Sequence, residues 1–176
     1  MKVLQESIMV PENYKYAINE LPEMKSAIHD WYKNRYHVEL TYDEMICLQG
    51  SQEALSTLFL AMCDPGDIVL VPDPYYPIFS DGPKIAGAKV EYMPLLQEYD
   101  YVIQLDQIDE EIAKKAKMMI VSYPNNPTCA TAPDSFYEEL IQFAKKYDIV
   151  VLHDNAYSEL VFDGKAVSYT HLRAHE

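Results

Sequence analysis

Asp148-Ile149-Val150-Val151-Leu152-His153-Asp154-Asn155-Ala156-Tyr157 is the stretch on which the fold turns. Its centre, Ile149 to Leu152, holds four consecutive apolar residues, three of them β-branched. A run without alternation reads as a strand buried on both faces, and the polar cluster after it marks where the strand leaves the sheet. In open α/β sheets, ligands bind in the crevice beyond the carboxyl ends of parallel strands. That rule puts Asp154 and Tyr157 where a small molecule would be met. On those two residues alone, a helix cap is the plainer explanation of Asp154.

Outward from this strand the same pattern recurs. Ile68-Val69-Leu70-Val71 and Met118-Met119-Ile120-Val121 are further unbroken apolar runs, and residues 89–93 read as another strand. Helical spacing groups Ala54, Leu55, Leu58, Phe59 and Met62 behind Gly50-Ser51. It also groups Phe136, Tyr137, Leu140, Ile141 and Ala144 behind a capping box at Thr131 and Asp134. Helices are expected over 78–86, despite Pro83, and over 105–115. Leu21, Met24, Ile28 and Trp31 predict a helix ending near Tyr36, with Pro22 tolerated in its first turn. Residues 45–48 read as a short strand and residues 1–20 as an extended arm. Strands alternating with helices predict an α/β fold, a three-layer α/β/α sandwich around a mostly parallel sheet.

Composition narrows the function. The chain has 176 residues, enough for one domain or part of one, and its 49% hydrophobic content is that of a soluble globular protein. With 14 Lys and Arg against 28 Asp and Glu, its net charge of −14 repels a phosphate backbone, so nucleic acid is not the expected partner. No apolar run is long enough to span a membrane and no signal-peptide core follows Met1, so a cytoplasmic protein is expected. Three cysteines without a CxxC pair argue against a disulfide framework or a zinc site, and five glycines that never form GxGxxG disfavour a nicotinamide-binding domain.

Four polar segments follow predicted elements at what is expected to be one sheet edge. Gly50-Ser51-Gln52 opens a helix, whose free N–H groups and Ser51 hydroxyl suit a phosphate; an ordinary Ser N-cap is the plainer explanation. Tyr76 lies in the proline-bounded loop Pro72-Asp73-Pro74-Tyr75-Tyr76-Pro77 and can stack on a flat ring or simply pack. Asn126, between Asn125 and Pro127, serves a turn or offers an amide to a ligand. With Asp154 and Tyr157 they compose a phosphate anchor, a stacking ring, an amide, a carboxylate and a phenol. A phosphorylated, nitrogen-containing ring that needs a carboxylate on that nitrogen is pyridoxal phosphate.

Gly50-Ser51-Gln52-Glu53-Ala54-Leu55, Asp64-Pro65-Gly66-Asp67, the Pro72–Pro77 segment, Tyr123-Pro124-Asn125-Asn126-Pro127-Thr128 and Asp154-Asn155-Ala156-Tyr157, in that order, resemble the class I/II aminotransferases of fold type I. The resemblance is strongest to the branch holding LL-diaminopimelate and aspartate aminotransferase-like enzymes, and covers about residues 10–164. It implies an enzyme that moves an amino group between an amino acid and a 2-oxo acid with pyridoxal 5'-phosphate, acting as a homodimer. By resemblance, Ser51 and Gln52 bind the cofactor phosphate, Tyr76 stacks on the ring, Asn126 and Tyr157 meet its phenolic oxygen, and Asp154 pairs with the ring nitrogen. Tyr16, or alternatively Tyr14, reaches the partner subunit's phosphate. Residues 1–20 are then the arm and 21–164 part of the cofactor-binding large domain. A β-eliminating lyase of the same fold and a non-catalytic binding domain share these residues and stay open.

Three departures accompany the resemblance. Cys129 stands where the family has glycine after Asn-Pro-Thr, and Glu20 stands where many relatives have glycine. If position 129 needs a positive φ, cysteine costs roughly 1 kcal/mol there. The family's Schiff-base lysine has no counterpart in the matched segments, since Lys165 follows Tyr157 too closely, so this chain alone is expected to be inactive. Residues 165–176 resemble translated sequencing-library adaptor rather than this family and read as a non-native tail. Its His171 and His175, without a third ligand, make a poor metal site.

Overall fold

A computed structural model describes residues 1–16 and 18–160. The readings made for Lys165, His171, His175 and the 165–176 tail therefore lie outside the described residues. The chain divides after Cys47 into two compact units.

In the first unit, the extended arm expected over residues 1–20 instead holds a short helix, α1 (Lys2–Ser7), and a 3-10 turn, Pro11–Tyr14. Asn13 Nδ2 ties the two by donating to the Ser7 carbonyl at 2.8 Å. Helix α2 (Pro22–Tyr36) starts with Pro22 and ends at His37 in the left-handed region. Trp31, Tyr32 and Tyr36 stack edge to face along it, at 5.1 to 5.4 Å between ring centroids. Residues 45–48 form no strand: Met45 is extended and buried, and the Cys47 N–H goes to the Glu20 carboxylate at 3.0 Å instead of to a ladder. Glu20, also 3.6 Å from Lys25, has its carboxyl held below the usual range, chiefly by that Cys47 N–H.

The second unit is built on β1 (Ile68–Asp73), β2 (Lys89–Pro94), β3 (Ala116–Ser122) and β4 (Val150–Asp154), in the order β2-β1-β3-β4 with every pairing parallel. Alternate side chains go to opposite layers. Val69, Val71, Met118 and Ile120 pack with Leu55 and Phe59 of α3 (Ser51–Met62) and Phe79 of α4 (Ile78–Ile85). Leu70, Met119 and Val121 pack on the other face with Phe136, Tyr137 and Leu140 of α6 (Asp134–Tyr147), and Ile112 of the short α5 (Glu110–Ala113) joins them. This is the expected three-layer α/β/α sandwich. Helices α3 and α4 approach so closely that a Cβ on Gly82 would lie 2.1 Å from the Leu55 carbonyl oxygen, which is why α4 carries glycine there.

Several local expectations fail for identifiable reasons. β4 is not buried on both faces: within the described sheet it is an edge strand, and Val150 is 43% exposed. The continuous helix over 105–115 is broken because Asp109 caps α5, its Oδ1 accepting from the Glu111 and Ile112 N–H groups at 2.9 and 3.1 Å. The Thr131–Asp134 capping box does not form, since Pro133 takes the N-cap of α6. A capping box forms instead at Thr41 and Glu44.

Cys129 has φ +59°, so the strain conditionally assigned to it is present. Cys129→Gly is expected to stabilise the chain by roughly 0.5–1 kcal/mol, the left-handed strain outweighing glycine's extra unfolded-state entropy, as read from urea denaturation midpoints. His153, on β4, lies edge-on to Tyr137 at 5.7 Å. Burial pushes its pKa down to about 4, against a weaker opposing hydrogen bond to the Tyr123 backbone. The folded state thus refuses a proton that the unfolded chain takes near pH 6.5. Stability should fall as pH drops from about 6.5 to about 4, by up to roughly 3 kcal/mol, and level off below. Asp154, raised by burial, acts with the opposite sign just above its ordinary range. Denaturation midpoints across this window should fall less steeply in His153→Gln than in the unmodified chain.

Candidate active site

The chain leaves β1 towards β2 on one side and later returns to β3 on the other side of β1. The connection after β1 enters α4 on one face and the connection after β3 enters α6 on the opposite face. The carboxyl ends of β1 and β3 therefore flank a topological switch point, where the two exits diverge and leave a crevice. Because all four strands are parallel, Tyr75-Tyr76, Asn125-Asn126 and Asp154 emerge at that same edge.

Gly50, with φ +87°, is the N-cap of α3, so Ser51 is its first helical residue rather than the cap expected on the plainer reading. Glu53 Oε2 turns back to accept the Gln49 N–H at 2.6 Å, and the Glu53 N–H bonds to the Gly50 carbonyl at 3.1 Å. Ser51 and Gln52 are exposed. The helix start thus presents main-chain donors and the positive end of its dipole to solvent. Gln52 Nε2 donates to the Tyr76 hydroxyl, joining this helix start to the exit of β1. Tyr76 is half-buried, its ring edge-on to Phe79 at 6.1 Å.

After β3, the structure separates two neighbours that sequence did not. Asn125, not singled out beforehand, is 3% exposed and builds the turn: its Oδ1 accepts from Thr128 Oγ1 at 2.9 Å, and its carbonyl accepts from the Cys129 N–H at 2.8 Å. An Asx turn closed by a Thr three residues on was the available signal. The Asn125 Nδ2 donor is buried without a partner among the described residues. Asn126 is half-buried and free of that turn-building role.

Asp154 ends β4 in register with Ser122. Side-chain alternation puts it with Leu152 on the α3/α4 face, while His153 lies with Val151 towards α6. It is half-buried, burial raises its carboxyl pKa, and no cation meets it among the described residues. Tyr157, 38% exposed, precedes the 3-10 turn Ser158–Leu160. Tyr16 belongs to the first unit and is 91% exposed, whereas the Tyr14 hydroxyl is engaged by the Ile8 carbonyl.

The donor set fits pyridoxal phosphate on its own chemistry. An open helix N-terminus suits the phosphate, and a half-buried carboxylate that meets no cation among the described residues suits a protonated ring nitrogen. A buried unpartnered amide donor awaits an acceptor. Among the described residues no group of three or more His, Cys, Asp or Glu is placed to hold a metal ion, and no helix is long and apolar enough to cross a membrane.

Comparison with known proteins agrees with the fold. The model of the family "Aminotransferase class I and II" matches residues 3–175. LL-diaminopimelate aminotransferase of Halothermothrix orenii is 47% identical over 161 residues, covering 90% of this chain and 41% of that protein. The Moorella thermoacetica enzyme of the same name is 42% identical over 88% of this chain and 40% of its own length. A solved aminotransferase from Staphylococcus aureus superposes with a TM-score of 0.91 at 32% identity, over 98% of this chain and 46% of that one. The chain thus spans about 41% of the length of the first of these relatives. On the family match and on the parallel α/β/α core that carries its motifs, the chain belongs to the class I and II aminotransferases.

Proposed function

We propose that the chain forms part of a pyridoxal-phosphate aminotransferase that moves an amino group between an amino acid of the LL-diaminopimelate type and a 2-oxo acid. Residues 21–164 serve as part of its cofactor domain. The observation that carries the reading is Asp154, a half-buried carboxylate without a cation among the described residues, at the carboxyl end of β4, on the same sheet edge as the exit of β1 to which the start of α3 is joined by the Gln52–Tyr76 bond.

When bound, pyridoxal phosphate supplies a protonated pyridine that draws electrons away from the substrate's α-carbon. Ser51, Gln52 and the first N–H groups of α3 would hold its phosphate, and the Tyr76 ring would cover one face. Asn126 and Tyr157 bind its phenolic oxygen. Asp154 would keep the ring nitrogen protonated, and a cation there would draw its carboxyl back down from the direction in which burial pushes it. Cofactor affinity should therefore weaken in acid as Asp154 takes a proton.

The substrate class rests on the relatives' names, which are LL-diaminopimelate aminotransferases. Those names lend nothing to the β-eliminating alternative. The whole protein acts in the cytoplasm as a homodimer, with Tyr16 offered to the partner's phosphate; the exposed Tyr16 hydroxyl and the engaged Tyr14 hydroxyl support that choice.

With the whole protein, LL-diaminopimelate and a panel of 2-oxo acids should give amino transfer. Asp154→Asn should lower kcat by about 10²–10³-fold, the scale typical of losing one preorganised electrostatic contact, without lowering the melting temperature of the cofactor-free protein. Ammonia release without an acceptor, or an undiminished Asp154→Asn variant, would overturn the reading.

A further inference from the structure

Gln52 is the second residue of α3, where main-chain N–H groups already face outward and an anion needs no side chain to be held. Its amide is directed elsewhere. Gln52 Nε2 donates to the Tyr76 hydroxyl across 24 residues of sequence, bridging the helix start and the exit of β1.

Tyr76 is also anchored from below, packed against the α3/α4 cluster. Its ring meets Phe79 edge-on, with centroids 6.1 Å apart and planes at 80°, and Phe79 is itself fully buried in the α3/α4 layer. A ring seated this way resists rotation about χ2. The hydroxyl oxygen, however, lies on the χ2 axis, so a bond to it acts on a different motion, the swing of the whole ring about χ1. Gln52 supplies that bond. Because the phenolic oxygen accepts from Gln52, its own proton stays available to donate.

We infer that the Gln52 side chain is a positioning residue for Tyr76: it fixes the ring as a platform for a flat heteroaromatic ligand, and the phosphate is left to Ser51 and the helix N–H groups. This rests on the cofactor reading above and changes the role of Gln52 within it. Gln52 is exposed, so Gln52→Leu leaves the core untouched.

The test is a double-mutant cycle on the whole protein with Gln52→Leu, Tyr76→Phe and the double variant. It reads pyridoxal phosphate affinity, displacement by inorganic phosphate, the visible circular dichroism of the bound cofactor, and melting temperature. Each single substitution should weaken cofactor binding about three- to tenfold, as for one lost hydrogen bond, and reduce the induced dichroism. The double variant should bind no more weakly than either single one, with phosphate affinity unchanged. Additive losses, or lost phosphate affinity in Gln52→Leu, would make Gln52 a direct phosphate ligand and overturn the inference alone. Failure of the unmodified protein to bind the cofactor would overturn the cofactor reading, and this role with it.

Discussion

The parallel pairing of β1 with β3 is the constraint on which the site depends. A parallel sheet releases every strand at one edge, and its crossovers must return over its faces. Here the crossover after β1 runs through α4 and the one after β3 through α6, on opposite faces. That divergence marks the switch point at which ligands bind in such sheets, and parallel pairing brings the strand ends to that one edge. Apolar packing enforces the geometry: Val69 and Val71 commit β1 to the α3/α4 layer while Leu70 commits it to the α6 layer, so a one-residue slip would reverse both.

The chemistry of the crevice follows from local fields rather than total charge. A chain of net charge −14 has little long-range attraction for a phosphate. The start of α3 offsets this at short range, because Gly50 opens the helix and leaves its first donors outward. Asp154 supplies the complementary half. Burial makes its charge costly, and a cationic ring nitrogen would remove that cost. In the proposed site, an anion holder and a cation holder at one sheet edge would select a ligand carrying both charges.

The layers were legible because burial on two faces leaves a plain mark, an unbroken apolar run, as in Ile68 to Val71 and Met118 to Val121. The same mark misled at β4, whose apolar run ends as an edge within the described sheet. Cap chemistry was less legible. Thr131 and Asp134 carry the right side chains, yet the restricted backbone of Pro133 takes the cap position, and Asp109 ends one helical pattern by starting another. The strand ends that bear Tyr76, Asn126 and Asp154 could be read from sequence. The Asn125 turn and the Gln52–Tyr76 bond could not, because each depends on where a particular side chain finds a partner, and Gln52 and Tyr76 are far apart in the chain.

The central claim is that one sheet edge binds a phosphorylated pyridine ring with its nitrogen against Asp154. A crystal structure of the whole protein with pyridoxal phosphate tests it most directly. The account predicts the phosphate among the first N–H groups of α3 and the ring nitrogen within hydrogen-bond distance of the Asp154 carboxylate. A cofactor seated away from the β1–β3 crevice, or bound there with its ring nitrogen turned from Asp154, would contradict it.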